Sequence, residues 1–279
     1  LATGAQRFAP EAASRLGRLA VQLLGIAAAI GLWQLASNAI GPFTMPPPAT
    51  VLDTITTNFF KSEYLASHGL ADTDGYLPHL LYSVRNVVAG VLLGTGVGVG
   101  LGLASLRFPL VSEVVAPVTA TFGAAPIVVA APFFLIWFGI VAFAQILIVT
   151  FYTALLMYIF SRRAGDNVRP EFVESALTLG AGPWSIFRWV YVPATVPEII
   201  AGFRIALAGS WGLEAIAELL GAQQGAGLLI KFYANAFVVD GMLALVLLLG
   251  LISVILDRLA IAAGRYLTRW AESGHTLQL

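Results

Sequence analysis

Six apolar runs, each about twenty residues or longer, constrain what this chain can fold into, because so little polar surface is left to face water. They lie at 19–40, 79–105, 109–138, 141–160, 194–220 and 242–263. Of 279 residues, 58% are hydrophobic and 11% charged. A soluble domain carries roughly 25% charged residues. Strand-period alternation, which a barrel would need, is absent, so the runs read as helices. The fold class expected is an all-α integral membrane protein with about six transmembrane helices. The formal net charge is +0, which gives no bulk signal for nucleic acid. With no Cys there is no disulfide and no thiolate metal site.

The chain opens on Leu1, which implies an earlier natural start. Residues 7–18 carry Arg7, Arg15 and Arg18, with Pro10 as a helix start, and read as a basic lead-in at a membrane surface. The first apolar run is long and reads as a retained span. Gly41-Pro42 ends it. Val51, Leu52, Ile55 and Phe59 then mark an amphipathic helix expected to lie on the bilayer. Residues 68–76, with Asp72 and Asp74, read as a loop.

Gly90, Gly94, Gly98 and Gly102 fall four apart on one face of the second run. Small residues at that spacing let another helix approach closely, and in lipid such packing drives association. The segment Gly94-Thr95-Gly96-Val97-Gly98 is no phosphate loop, since no strand precedes it and no Gly-Lys-Ser/Thr follows. Pro117, Pro126 and Pro132 break the third run, which must tilt, kink or be discontinuous. It reads either as a pathway-lining element or as a kinked packing helix.

Between the fourth and fifth runs lies the most polar interior segment, 169–193. Pro170 begins a helix where its missing N–H is harmless. Glu171 and Glu174 sit in the first turns, which the helix dipole favours. Phe172, Ala176 and Leu179 make one apolar stripe. Gly180 suits a left-handed cap, and Gly182-Pro183 prevents continuation. A second amphipathic piece, 184–192, is expected to stop at Pro193. With the N-terminus in the cytosol, six spans place Arg7, Arg15, Arg18, Arg107, Arg162, Arg163, Arg169, Arg188, Arg265 and Arg269 inside. Only Lys61 and Lys231 then lie in outer loops, the positive-inside pattern. The polar segment therefore faces the cytosol.

Glu174-Ser175-Ala176, Gly180 and Val190-Tyr191-Val192-Pro193 resemble the signature E-A-A, three residues, G, nine residues, I-x-L-P of ABC importer permeases. Ser175, Val190 and Val192 depart from it by small or apolar exchanges. Met45-Pro46-Pro47-Pro48, Ser83-Val84-Arg85, Ala125-Pro126, Trp137-Phe138-Gly139, 202–207, Ala217-Glu218 and 225–228 are similar to the nitrate, taurine, aliphatic sulfonate and bicarbonate branch. The branch also takes up pyrimidine precursors, riboflavin and phthalate-like acids.

The resemblance implies a type I (MetI-like) permease core at 79–263 with a cytosolic coupling helix at about 170–180. Residues 1–78 would supply the lead-in, the first span and an external amphipathic segment, and 264–279 a cytosolic tail. It implies a coupling role for Glu174, Ser175, Ala176, Gly180 and Pro193, and a multi-pass place in a bacterial inner membrane with both termini cytosolic. Two cytosolic ATPase subunits, a second permease copy as a homodimer, and an extracytoplasmic solute-binding protein are the partners it implies. ATP and Mg would be bound by the ATPase, so this chain would have no catalytic residues, cofactor or metal of its own. The cargo would be a small anion such as a sulfonate, nitrate or carboxylate.

Glu214 and Glu218 fall four apart in the fifth run, toward its outer end. Carboxylates in a span are functional suspects. One reading pairs one of them with Arg85 as an outer gate; the other leaves an interfacial carboxylate in water. Thr121, Ser210 and Trp211 are pathway candidates at mid-depth, and Trp211 and Trp137 either line a path or pack. Glu198 and Arg204 read as contacts to the cytosolic loop or as snorkelling side chains, and Asp257 and Arg258 as similar. His68, His79 and His275 have no partners at metal or catalytic spacing. A self-sufficient secondary transporter or channel is the alternative, and would want inverted repeats that the sequence does not show. A membrane-embedded enzyme would need a polar constellation that Glu214 and Glu218 alone do not supply.

Overall fold

In a computed structural model, residues 11–68, 70, 75–124 and 127–270 are described. Arg7, Pro10, Asp72, Asp74, Ala125-Pro126 and His275 lie outside them. Twelve α-helices follow one another among the described residues. They are α1 (Glu11–Ile40), α2 (Pro48–Asn58), α3 (Glu63–Ser67), α4 (Tyr76–Arg107), α5 (Pro109–Ala124), α6 (Ala131–Phe138), α7 (Ala142–Asp166), α8 (Pro170–Thr178), α9 (Pro183–Ile186), α10 (Val192–Gly221), α11 (Ala226–Asn235) and α12 (Val239–Leu267).

Among the described residues, five helical segments are long and apolar enough to cross a membrane: Leu19–Ile40, Tyr76–Arg107, Ala142–Asp166, Pro183–Gly221 and Val239–Leu267. A sixth crossing is supplied if Pro109–Gly123 and Ile127–Phe138, bent by 93°, count as one broken span. The expected discontinuity of the proline-rich third run is therefore present.

The tightest packing is between α4 and α7, and the glycine face makes it. A Cβ on Gly94 would meet the Thr150 carbonyl at 2.5 Å, and one on Gly102 would meet the Ser161 Cβ at 2.6 Å. On Gly98 it would collide with the Ala154 carbonyl. Gly96 and Gly100, on another face of the same helix, have nothing within 4 Å. Val87, Val91, Val149, Leu207 and Trp211 close the centre of the bundle, bringing α10 onto this pair.

Two expectations are corrected. The helix with Val51 and Ile55 does not lie free on the bilayer. Val51 is fully buried in a cluster with Leu65, Tyr76, Leu229, Tyr233 and Leu245, and Thr54 Oγ1 donates to Asp240 Oδ2 of α12 at 2.9 Å. Pro193 does not stop a helix. The chain runs on from α9 through a π-helical turn, Phe187–Tyr191, into α10. In that turn the Val192 N–H reaches the Phe187 carbonyl, so the register has already shifted where Pro193 brings no N–H.

Gly94→Val should lower the melting temperature of the detergent-purified protein, consistent with a loss of about 1–3 kcal/mol or more from overpacking against backbone. Gly96→Val should leave it within the error of the same fluorescence melt. Equal losses at both positions would contradict the close-packed face.

Candidate functional site

Two polar features stand out from the apolar bundle, one at each end of α10.

At the first end, α8 is held by local sequence alone. Arg169 precedes it in extended backbone and Pro170 opens it. Glu171 sits in the first turn, and its carboxyl is held below the ordinary carboxylate range, first by backbone N–H at the helix start and then by Arg169 at 3.3 Å. This contribution is present above the ordinary Glu range and fades as pH falls through the lowered folded value. Gly180 stands at φ +77. The Gly180 N–H donates to Leu177 at 2.9 Å and the Ala181 N–H to Ala176 at 3.0 Å, the two bonds of a Schellman cap. Ser175 Oγ donates to the Glu171 carbonyl at 2.7 Å, and Thr178 Oγ1 to the Glu174 carbonyl at 2.9 Å.

No residue of α8 is buried within the chain. Its Phe172 is 53% exposed, and Leu179, just beyond it, is 87% exposed. Glu174, Ser175, Ala176 and Gly180 thus share one short, capped helix, while Pro193 lies apart, beyond the π-turn. Asn167 Nδ2, at the end of α7, donates to both carboxylate oxygens of Glu198 at 3.3 and 3.4 Å, which ties the loop to α10. Arg204 and Asp257 form an ion pair at 2.8 Å that joins α10 to α12. Neither is a snorkelling side chain without a partner.

At the other end, Glu214 and Glu218 are each 1% exposed, so the interfacial carboxylate in water is excluded. The pairing with Arg85 is also absent. Arg85 donates to Asn86 Oδ1 at 3.3 Å and lies 4.9 Å over the Tyr82 ring. Asn86 takes the place facing the carboxylates, and its Nδ2 donates to Glu214 Oε1 and to Gln145 Oε1, both at 2.9 Å. Tyr82 donates to the same Gln145 oxygen at 2.9 Å. Ser83 Oγ donates to Glu218 Oε1 at 2.7 Å.

The amino terminus of α11 docks here. Gly225 N–H donates to His79 Nδ1 at 3.0 Å, Ala226 N–H to Ser83 Oγ at 3.0 Å, and Gly227 N–H to Glu218 Oε2 at 2.7 Å. Three orphan donors of a helix start are therefore satisfied by side chains of α4 and α10. Gly225 stands at φ +115, and a Cβ on it would collide with the Glu218 carboxyl. A Cβ on Gly227 would meet the Ala215 carbonyl at 2.5 Å.

The remaining pathway candidates do not converge. Ser210 is fully buried, donating to Ala206 at 2.7 Å and lying 3.3 Å from Thr153 Oγ1. Trp211 packs in the central cluster. Thr121 is exposed and bonds only its own helix, donating to Pro117 at 2.9 Å. Ser210 and Trp211 are thus held between helices of this chain, because their helix presents that face to α4 and α7. Ser83, Asn86, Gln145 and His79 are the residues that sequence reasoning missed. His79, Ser83 and Asn86 fall on one face of an apolar helix, and that polar stripe was the available signal. No group of three or more metal-binding side chains occurs among the described residues.

A family model described as the binding-protein-dependent transport system inner membrane component matches residues 94–269. The probable ABC transporter permease protein of Brucella abortus (strain 2308) is 27% identical over 259 residues, covering 93% of this chain and 98% of its own. The taurine transport system permease protein of Escherichia coli (strain K12) is 28% identical over 250 residues, covering 85% and 84%. Among solved structures, an inward-facing methionine ABC transporter gives a TM-score of 0.59 at 21% identity, covering 75% of this chain and 98% of that one. This last likeness concerns the fold.

Gly180→Val should open the cap, raising amide exchange at Gly180 and Ala181 by roughly tenfold, since the left-handed backbone costs a β-branched residue about 1–2 kcal/mol. Gly180→Asn, which tolerates that backbone, should raise it far less. No Cβ contact lies within 4 Å, so an equal effect from both variants would mean that the conformation is not what selects glycine here.

Proposed function

The chain belongs to the family of binding-protein-dependent transport system inner membrane components, and from that premise we propose that α8 is the helix through which it engages its ATPase. As a member, it is the multi-pass inner-membrane permease of an ABC importer and not the ATPase. The observation that carries the proposal is the uncovered apolar side of α8. A helix opened by Pro170, closed by its Gly180 cap and without a buried residue has no fold-internal use for Phe172 and Leu179. An exposed apolar patch on a rigid, short helix is what a groove on a partner receives.

Glu174, Ser175, Ala176 and Gly180 then shape and present that helix. Pro193 acts at a distance, where the π-turn joins the loop to α10. The Arg distribution supports a cytosolic position for α8 and for both termini. The assembly proposed contains two ATPase subunits, a second copy of this chain and an extracytoplasmic solute-binding protein. Residues 79–263 form its core, 1–78 add the first span and the segment packed on α12, and 264–279 form a cytosolic tail. The cargo proposed is a small anion of the sulfonate, nitrate or carboxylate class. Its support is the taurine permease among the relatives, taurine being an aminosulfonate.

Phe172→Asp should leave the permease inserted and monodisperse in detergent, yet reduce co-purification of the co-expressed ATPase and ATP-driven uptake of a labelled sulfonate by more than about tenfold, because it desolvates a charge against an apolar groove. Uptake into liposomes by this chain without ATPase or ATP would overturn the coupling proposal. Unchanged ATPase recovery with Phe172→Asp would show that α8 is not the contact.

A further inference from the structure

Glu214 and Glu218 pose a problem that the transport reading does not use. Both are 1% exposed, on successive turns of α10, and neither has an ion-pair partner among the described residues. Two adjacent buried carboxylates without a cation cannot both remain ionised at tolerable cost.

The hydrogen bonds distinguish the two groups. Glu218 is satisfied as an anion: Oε1 accepts from Ser83 and Oε2 from Gly227 N–H, at 2.7 Å each. It also lies at the amino terminus of α11, where the helix dipole favours negative charge. Glu214 is not satisfied in that form. Its Oε1 accepts from Asn86, but its Oε2 is fully buried and has no donor. The neighbouring carboxylate is Glu218, four residues on along the same face of α10 and itself an acceptor. Two acceptors can bond only if one of them carries a hydrogen.

The other groups around the pair do not supply that hydrogen. Tyr82 spends its hydroxyl on Gln145, and Arg85 its guanidinium on Asn86. His79 accepts from Gly225 at Nδ1, so its proton is on Nε2, which has no partner. Gln145 from α7 is neutral, and its Nε2 is likewise without a partner. At this site α11 presents backbone N–H groups.

We propose that this cluster is a built-in proton site: Glu214 holds a proton on Oε2 and donates it to Glu218, which stays anionic on the amino terminus of α11. The pair then carries a single negative charge that Ser83, the α11 amides and the Glu214 hydroxyl together stabilise. The outer ligand of α11 is thus a carboxylate whose charge depends on its neighbour remaining protonated. No residue of α8 enters this site, so the proton site and the ATPase contact stand or fall separately.

The test compares Glu214→Gln with Glu214→Ala and Glu218→Gln in the full chain in detergent. Gln at 214 reproduces the neutral acid, accepting from Asn86 and donating to Glu218, so its melting temperature should stay within about 2 °C of the parent. Glu214→Ala removes that donor, and Glu218→Gln removes the anion and sets an amide NH2 against either the Gly227 N–H or the Ser83 hydroxyl. Each should lower it by roughly 5–10 °C, the scale expected for a broken buried charge network in a chain of this size. Infrared spectra supply a readout that packing alone does not move. The parent should show a protonated-carboxyl band near neutral pH, shifted in D2O, that disappears in Glu214→Gln. Absence of that band in the parent would overturn the proposal, as would Glu214→Gln being as damaging as Glu214→Ala. Either would favour two ionised carboxylates bridged by a buried water. If Glu218→Gln fails to insert, the infrared comparison of the parent with Glu214→Gln still decides.

Discussion

The approach of α4 to α7 sets the geometry that everything else needs. In lipid, helices gain little from hiding apolar side chains from one another, because the surrounding tails are as apolar as leucine. Close backbone approach is what remains. The four-residue repeat of Gly90, Gly94, Gly98 and Gly102 supplies it over that stretch of α4. That fixed pair offers one face on which α10 packs through Leu207 and Trp211. It also turns His79, Ser83 and Asn86 toward α10 and α11, where apolar side chains would leave the polar groups of those helices unmet.

Legibility in the sequence followed the range of the forces involved. The glycine face and the capped loop helix were readable because each rests on residues within a few positions of one another. Gly180 takes the left-handed backbone with nothing within 4 Å of where a Cβ would stand, so a local signal was the whole cause. The fifth run misled at Pro193, because the π-turn that absorbs it is set by how α9 leads into α10. The segment 226–235 gave no separate helix signal. It is only ten residues long, and its start is held by side chains 146 and 143 positions away in sequence, with Glu218 as the one near partner.

The Arg85 pairing failed for an instructive reason. Charge complementarity read from sequence assumes that the longest cation reaches the nearest anion. Here the guanidinium stays over Tyr82, and the amide of the next residue, Asn86, carries the contact inward. An amide can accept from Arg85 on one side and donate to Glu214 on the other, which transmits polarity without desolvating the guanidinium. Buried carboxylates in such a chain are therefore better sought through the amides and hydroxyls at helical spacing on facing spans than through basic residues.

One helical path links the two polar ends. From Pro183 to Gly221 the backbone stays helical, through the π-turn, with no intervening loop. Along it lie Glu198, bonded to Asn167 beside α8; Arg204, paired with Asp257 of α12; Ser210, against Thr153 of α7; Glu214, bonded to Asn86 of α4; and Glu218, which seats α11. Polar contacts with four other elements thus hang on one rod of 39 residues. A helix resists stretching far more than a loop does, because each turn is closed by its own hydrogen bonds. The π-turn is where the hydrogen-bond register along this path changes, and Pro197, inside α10, is a second position where a backbone donor is missing. The sequence marks the π-turn with Pro193, whose missing N–H keeps an ordinary α-helical turn from forming across it.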